Sequence, residues 1–161
     1  MSEDAFCLQV AIDGRSDGVK NFSRMLGCLD RFGKELFFEF NNDEVRESIT
    51  PGCHSFSSQP HMQVTLRTIN TAQSAYVHFT LGAAFFQDWH PQRGRSVSIK
   101  LHLKNMVSIF RSPSGVETVW LQLAVDNECY LRVHLMCKNG VSKMFDLKFE
   151  EVPPPMQTLS W

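Results

Sequence analysis

Two short segments of the sequence carry basic residues at spacings that suit phosphate binding. Lys20 and Arg24 are four residues apart, and Lys104 and Arg111 are seven residues apart. On a helix these intervals place side chains above one another, so that fixed cations follow one line along a rigid element. We find no set of amide or bidentate arginine side chains suited to reading base edges, so the pattern favours sequence-independent contact with a nucleic-acid backbone. A second interpretation stays open, because the basic face of an amphipathic helix is usually only solvated.

Cysteine and histidine residues offer weaker candidates for chemistry. Cys53, His54 and His61 come closest to a metal cluster, but they lack the paired spacing of metal ligands. A cysteine nucleophile with a histidine base is a further possibility, although no spacing in the sequence requires such a pair. The residues concerned are Cys7, Cys129, His78 and His134. The sequence also has no phosphate-binding GxxxxGK[ST] loop and no HExxH zinc motif. We therefore expect no enzymatic activity, no metal and no cofactor.

Length and composition are those of one globular domain. The 161 residues are 43% hydrophobic and 20% charged, which argues against a disordered chain. No apolar run approaches the roughly 20 residues that a membrane-spanning helix needs. An acidic start and five cysteines without a CxxC pair favour the cytosol or the nucleus. Because the net charge is -1, any contact with nucleic acid must come from a local basic surface.

The periodicity of apolar residues predicts sparse helices among many strands. The first helix, from residue 18 to 32, would bury Phe22, Leu26 and Phe32 and expose Lys20, Arg24 and Arg31, and Gly33 would cap its end. The second, 104–111, would expose Lys104 and Arg111. Strands are predicted at 6–12, 36–40, 61–69, 76–81, 97–103, 118–125, 129–137 and 143–149, with one helical turn in 83–89. Residues 41–60 are predicted to form a long exposed loop, Asn139-Gly140 a hairpin turn, and 153–161 a proline-rich connector or tail after a single domain of residues 1–152.

Several runs within this order of elements resemble a known family. Residues 64–76 (VTLRTINTAQSAY), 85–87 (FFQ), 104–112 (KNMVSIFRS) and 135–141 (LMCKNGV) resemble the Rad-nine subunit of the nine-one-one checkpoint clamp. The resemblance extends over about residues 5–152, and it is most specific in 70–76 and 108–112. It implies an α+β DNA clamp domain, in which antiparallel β-sheets carry two α-helices on the inner face of a ring related to proliferating cell nuclear antigen.

The resemblance also implies a function and partners. The chain would be a nuclear, non-enzymatic subunit of a sliding clamp for the DNA-damage checkpoint, loaded by a clamp loader around double-stranded DNA together with two other clamp-type subunits. Members of this family carry two such domains, so the sequence represents a piece of a longer subunit, a half-subunit or a divergent form with one domain. The positions that would line the DNA hole are Lys20, Arg24, Arg31, Lys104 and Arg111. The last strand would form the edge of a subunit interface, with Lys143, Met144, Phe145, Asp146, Leu147, Lys148 and Phe149.

Two other functions are compatible with the same residues. A homotrimeric replication-type clamp would share the fold and differ in its choice of partners. A protein-interaction module without a role on DNA would use its basic helix faces only for solubility. The apolar residues of the last strand are likewise open to two interpretations, since a subunit edge and ordinary sheet packing both need them.

Overall fold

Alternation of apolar and polar residues gives this chain its strands, and two stretches of helical periodicity interrupt them. The computed structural model describes residues 8–43, 61–91, 96–112, 114–124 and 129–152. In chain order the elements are β1 (Leu8–Asp13), α1 (Gly18–Asp30), β2 (Glu35–Asp43), β3 (His61–Ile69), β4 (Tyr76–Gly82), a 3-10 turn (Ala83–Phe85), β5 (Asp88–Pro91), β6 (Val97–His102), α2 (Leu103–Ile109), β7 (Val116–Ala124), β8 (Tyr130–Cys137), β9 (Ser142–Lys148) and β10 (Glu150–Glu151).

The strands form two antiparallel sheets of five strands each. The first sheet has the order β5-β1-β7-β8-β9, and the second has the order β10-β6-β2-β3-β4. Four of the eight neighbouring pairs, β2-β3, β3-β4, β7-β8 and β8-β9, are consecutive in sequence, as antiparallel sheets allow. The turn between β8 and β9 contains Asn139 and Gly140, as the sequence predicts, with Gly140 at φ +78°. The α+β fold class is confirmed.

Both sheets and both helices contribute to one hydrophobic core. Strand residues that point inward, such as Leu121 and Phe38, are fully buried, whereas their neighbours in sequence are not. From α1 the fully buried residues include Phe22 and Leu26, and from α2 they include Met106. Because the helices cover the core side of the sheets, the other side of each sheet carries mainly polar residues. Among the described helices none is both long and apolar enough to cross a membrane.

The joint between α1 and β2 differs from the sequence prediction. The helix ends at Asp30 with Arg31 as its C-cap residue, and Phe32, predicted on the buried face, is 36% exposed. Gly33 donates its N–H to the Leu29 carbonyl oxygen over 3.0 Å, but its φ is not positive. The predicted role of Gly33 as the cap is therefore wrong, because the helix closes on Arg31 two residues earlier.

Close packing explains the glycine at position 33. A Cβ atom there would overlap the hydroxyl oxygen of Thr68 and would lie 2.5 Å from the Ile69 carbonyl oxygen. Thr68 is itself fully buried, and its hydroxyl donates to the Glu35 carbonyl oxygen over 2.7 Å. The chain can thus pass from helix to strand against β3 only if residue 33 has no side chain.

Other differences concern short elements and the ends of strands. Residues 41–43, assigned to the long loop by sequence, extend β2, and the remainder of that loop, 44–60, lies outside the described residues, as does the predicted tail 153–161. The predicted turn in 83–89 is a three-residue 3-10 turn, and β5 follows it and pairs with β1. Strands β5 and β10 are not predicted from the sequence, because four and two residues are too few for a period to be recognised.

Substituting alanine for two glycines of the same region should change stability in opposite directions. Gly33→Ala forces a methyl group against Thr68 and the β3 backbone, and overpacking of this kind costs about 1–3 kcal/mol. Gly27→Ala, in the middle of α1, meets no atom within 4 Å and should stabilise the helix by up to about 1 kcal/mol. Thermal unfolding followed by circular dichroism measures both changes, and equal Tm values for Gly33→Ala and the parent chain would contradict the packing argument.

Candidate nucleic-acid interface

The two helices lie side by side and are held together through α1 residues that face α2. The Phe22 and Phe110 rings meet edge to face with centroids 5.1 Å apart. The Ser23 hydroxyl donates to the Phe110 carbonyl oxygen over 2.8 Å. These contacts fix α1 against the end of α2. The side chains opposite the two buried faces therefore project from one surface, formed by residues 18–34 and 103–111, which we call the helix layer.

The basic residues predicted by sequence lie on the solvent side of this layer. On α1, Val19, Phe22, Leu26 and Leu29 are buried at intervals of three and four residues. All five predicted DNA-contacting residues are exposed, three of them within the helices and two, Arg31 and Arg111, just beyond their C-terminal ends. They are Lys20, Arg24, Arg31, Lys104 and Arg111.

Three basic residues on the sheets form ion pairs, in contrast to these exposed cations. On the sheet faces turned away from the core, Arg67 lies 3.1 Å from Glu39, Lys100 2.9 Å from Glu150, and Arg132 2.8 Å from Asp146. The hydrogen bond to Glu150 raises the pKa of Lys100, and the same bond lowers the pKa of Glu150. By contrast, none of the five helix-layer cations forms an ion pair with any residue in the described part of the chain.

The helix layer is consequently a local positive surface on a chain of net charge -1. Residues 18–34 and 103–111 together contain six basic residues and one acidic residue, Asp30. The sixth basic residue is Lys34, which the sequence analysis did not identify because it lies between a helix and a strand, where no helical face includes it. Six exposed cations on one layer can bind closely spaced anions without a specific pocket.

The predicted subunit edge lies at the border of the first sheet. On its outer side β9 pairs with no strand of the described chain, and Met144 and Phe145 are 53% and 36% exposed. Asp146 is held by Arg132, so that one acidic group of this strand is already neutralised. Phe149, predicted as part of the edge, follows the end of the strand and is buried, because it closes the core.

A second long edge strand lies at the border of the other sheet. Strand β4 has seven residues, as many as β9, whereas the remaining edge strands β5 and β10 have four and two. Tyr76, at the start of β4, is 63% exposed and stacks on His78, with ring centroids 5.7 Å apart. Among the described residues, each sheet therefore ends in one long strand, β9 or β4, that pairs with no further strand on its outer side.

The alternative sites have little support in the described chain. Its residues contain no group of three or more potential metal ligands, and Cys7, Cys53 and His54 lie outside them. His78 belongs to the second sheet, whereas Cys129 precedes β8 of the first sheet, which carries His134. Cys129 and His134 are five positions apart along extended chain, so their side chains point to opposite faces.

The turn before α1 contains a spacing that the sequence analysis overlooked. Residues 14–18 (GRSDG) match the G-x-S-x-G pattern, and they connect a strand to a helix, as a nucleophilic serine does in α/β-hydrolases. Such a serine sits in a strained backbone conformation beside a histidine base. Here the Ser16 hydroxyl donates to the Asp13 carbonyl oxygen over 3.2 Å and accepts from the Gly18 N–H over 3.4 Å. Ser16 has no positive φ, so it lacks that sign of backbone strain, and both hydrogen bonds of its hydroxyl are local to the turn. These observations indicate a turn residue and not a nucleophile.

Comparisons with known proteins agree with this geometry. The family model for Rad9 matches residues 22–159, which is most of the chain. The fold is similar to that of the crystal structure of PCNA from Thermococcus kodakaraensis, with a TM-score of 0.65 and 17% sequence identity, over 92% of this chain and 49% of that one. The chain thus spans about half the length of that protein, and at this identity the likeness shows the fold alone. Two antiparallel sheets, a shared helix layer and the family match lead to one conclusion: the chain belongs to the Rad9 family and has a PCNA-like clamp fold.

Proposed function

We propose that this chain is a non-enzymatic subunit of a DNA sliding clamp that acts in the DNA-damage checkpoint, in the nucleus. It would contribute sequence-independent contacts to the phosphates of double-stranded DNA and a scaffold for repair and signalling partners. The observation that carries this proposal is the contrast between the helix layer, whose cations have no carboxylate partner among the described residues, and the outward sheet faces, where Arg67, Lys100 and Arg132 are each paired with a carboxylate.

A duplex provides the charge pattern that such a layer fits. Double-stranded DNA carries one negative charge about every 1.7 Å along its axis, and cations that neutralise phosphates release condensed counterions. A cation already paired with a carboxylate would first have to lose that partner. Lys20, Arg24 and Lys104 have no described partner to lose, so their full charge is available. This supports a role on DNA over a pure protein-interaction module.

Ring closure would use the two long edge strands. Main-chain groups on an open strand bind another strand by extending the sheet. Two different edges on one domain favour head-to-tail contacts, which form closed rings when the rotation between units is suitable. We propose that β9 pairs with a second clamp-type subunit and that the complete ring contains two such partners as a heterotrimer, placed on DNA by a clamp loader. The β4 edge would receive the next domain of the ring.

Reversing the charge of the helix layer should weaken retention on DNA. Glutamate at Lys20, Arg24, Lys104 and Arg111 places carboxylates next to phosphates. Each phosphate contact that is lost reduces the magnitude of the slope of log affinity against log salt concentration by about 0.9. In the assembled ring on nicked circular DNA, we expect the half-life of retention to fall about tenfold or more, with partner binding unchanged. The matched control is Lys138→Glu, an exposed lysine in the turn between β8 and β9.

The result separates the proposed functions. Unchanged retention of the fourfold variant would favour an interaction module without a role on DNA. A stable homotrimer of the purified chain, detected by mass measurement, would favour the replication-type clamp. Co-purification with two other clamp-type subunits is the outcome expected here.

Substitutions on β9 should prevent assembly while the neighbouring strand tolerates them. Met144→Asp and Phe145→Asp place an uncompensated charge on the open edge, where a partner strand would have to bury it. Met136→Asp is the control, because Met136 is 43% exposed but lies on β8, one strand away from the edge. We expect light scattering after size-exclusion chromatography to show loss of the complex for the two β9 variants only. Equal loss for Met136→Asp would argue against β9 as the edge that makes the contact.

A further inference from the structure

We propose that Lys34 is a sixth phosphate-contacting residue, which joins the cations of α1 and α2 into one continuous surface. This inference rests on the proposed function and extends it to a residue that neither helix contains. Lys34 is exposed and lies between the end of α1 and the start of β2.

A backbone hydrogen bond places Lys34 beside the start of α2. The Leu103 N–H donates to the Lys34 carbonyl oxygen over 3.1 Å. This bond continues the pairing of β2 with β6, in which Glu35 stands opposite His102. Lys34 therefore stands opposite Leu103, at the separation of about 5 Å that is usual across antiparallel strands. Lys104, which follows Leu103 in the chain, is one of the predicted DNA-contacting residues.

The alternation of β2 indicates which side of the sheet Lys34 shares. Leu36 and Phe38 are fully buried on the side that the helices cover. Glu35 belongs to the opposite side, where its carboxylate lies 3.9 Å from the Lys100 amino group. Residues two apart along a strand face the same way, so continuing the period by one residue assigns Lys34 to the helix side. The neighbouring carboxylate thus points away from Lys34 and does not neutralise it.

The backbone that carries Lys34 is fixed on both sides. Gly33 packs directly against Thr68 and bonds to the Leu29 carbonyl oxygen, and the Glu35 carbonyl oxygen accepts from the Thr68 hydroxyl. A cation on a fixed backbone loses less conformational freedom on binding than one on a flexible loop. Within the described part of the chain Lys34 also has no ion-pair partner. These features suit a contact with the phosphodiester backbone, to which the lysine ammonium binds as a compact point charge without reading sequence.

Lysine footprinting tests the inference residue by residue. The purified full chain is acetylated with a lysine-reactive ester at low ionic strength, with and without a mixed-sequence duplex, and each site is quantified by mass spectrometry. We expect Lys20, Lys34 and Lys104 to lose reactivity together, roughly threefold or more, and to regain it as salt is added. Lys138, in the turn between β8 and β9, and Lys143, on β9, are internal controls and should keep their reactivity.

The outcomes separate this inference from the proposed function. Protection of Lys20 and Lys104 with Lys34 as reactive as Lys138 would overturn the role of Lys34 and leave the DNA-contacting helix layer in place. No protection at any of the three would remove both proposals. Protection of all three, with the controls unchanged, supports both.

A matched pair of variants gives a second measurement. Lys34→Met keeps the aliphatic stem and removes the charge, so the slope of log affinity against log salt should fall by about 0.9 in magnitude. Lys34→Arg should restore that slope, and Lys138→Met should not alter it. A slope unchanged by Lys34→Met, in a variant with the parent Tm, would contradict the inference.

Discussion

The contact between Phe22 and Phe110 is the interaction on which the remainder of the structure depends. Phe22 is fully buried and Phe110 is 2% exposed, so each ring removes a large apolar area from water, worth about 1.5–3 kcal/mol per side chain. Their edge-to-face packing holds α1 and the end of α2 against the same core as the sheets. Because the apolar faces of both helices are committed to that core, their basic faces must point to solvent on one side of the domain.

Burial and charge are therefore two consequences of one arrangement. Three outward-facing cations of the sheets form ion pairs, among them Arg67 with Glu39 and Arg132 with Asp146. Cross-strand pairing makes such neutralisation easy, since opposite residues lie about 5 Å apart. The helix layer contains one acidic residue among six basic ones, so its positive charge has little local compensation. Such a distribution attracts polyanions even though the chain as a whole is slightly acidic.

The long edge strands of the two sheets bear on how the domain could assemble with others. A sheet edge with unpaired main-chain groups tends to recruit another strand unless the protein shields it. Strand β9 keeps Met144 and Phe145 exposed beside such an edge, and β4 keeps Tyr76 exposed on the other sheet. The chain belongs to the Rad9 family, has a PCNA-like clamp fold and spans about half the length of the PCNA chain that it resembles. In the ring proposed above, both edges would make contacts with other domains.

Local patterns in the sequence determined much of the fold. Helical periodicity found both helices with their buried and basic faces, alternation found eight of the strands, and Asn139-Gly140 marked the hairpin that ends in β9. Phe32 was wrongly assigned to the buried face of α1. The helical pattern of apolar residues continues in the sequence beyond Asp30, at which the helix ends. The short strands β5 and β10 were not predicted, because they depend on pairing with β1 and β6 and are too short to show a periodic pattern of apolar residues.

Only the tertiary structure decided which charges remain unpaired and where they lie. Ion pairs such as Lys100 with Glu150 join residues that are distant in sequence, so no spacing reveals them. The same holds for Lys34, which reaches α2 through a bond to Leu103 and through the close approach of Gly33 to Thr68. Sequence thus determined the faces of individual elements, because those depend on local periods, whereas the continuous surface depends on long-range contacts between elements.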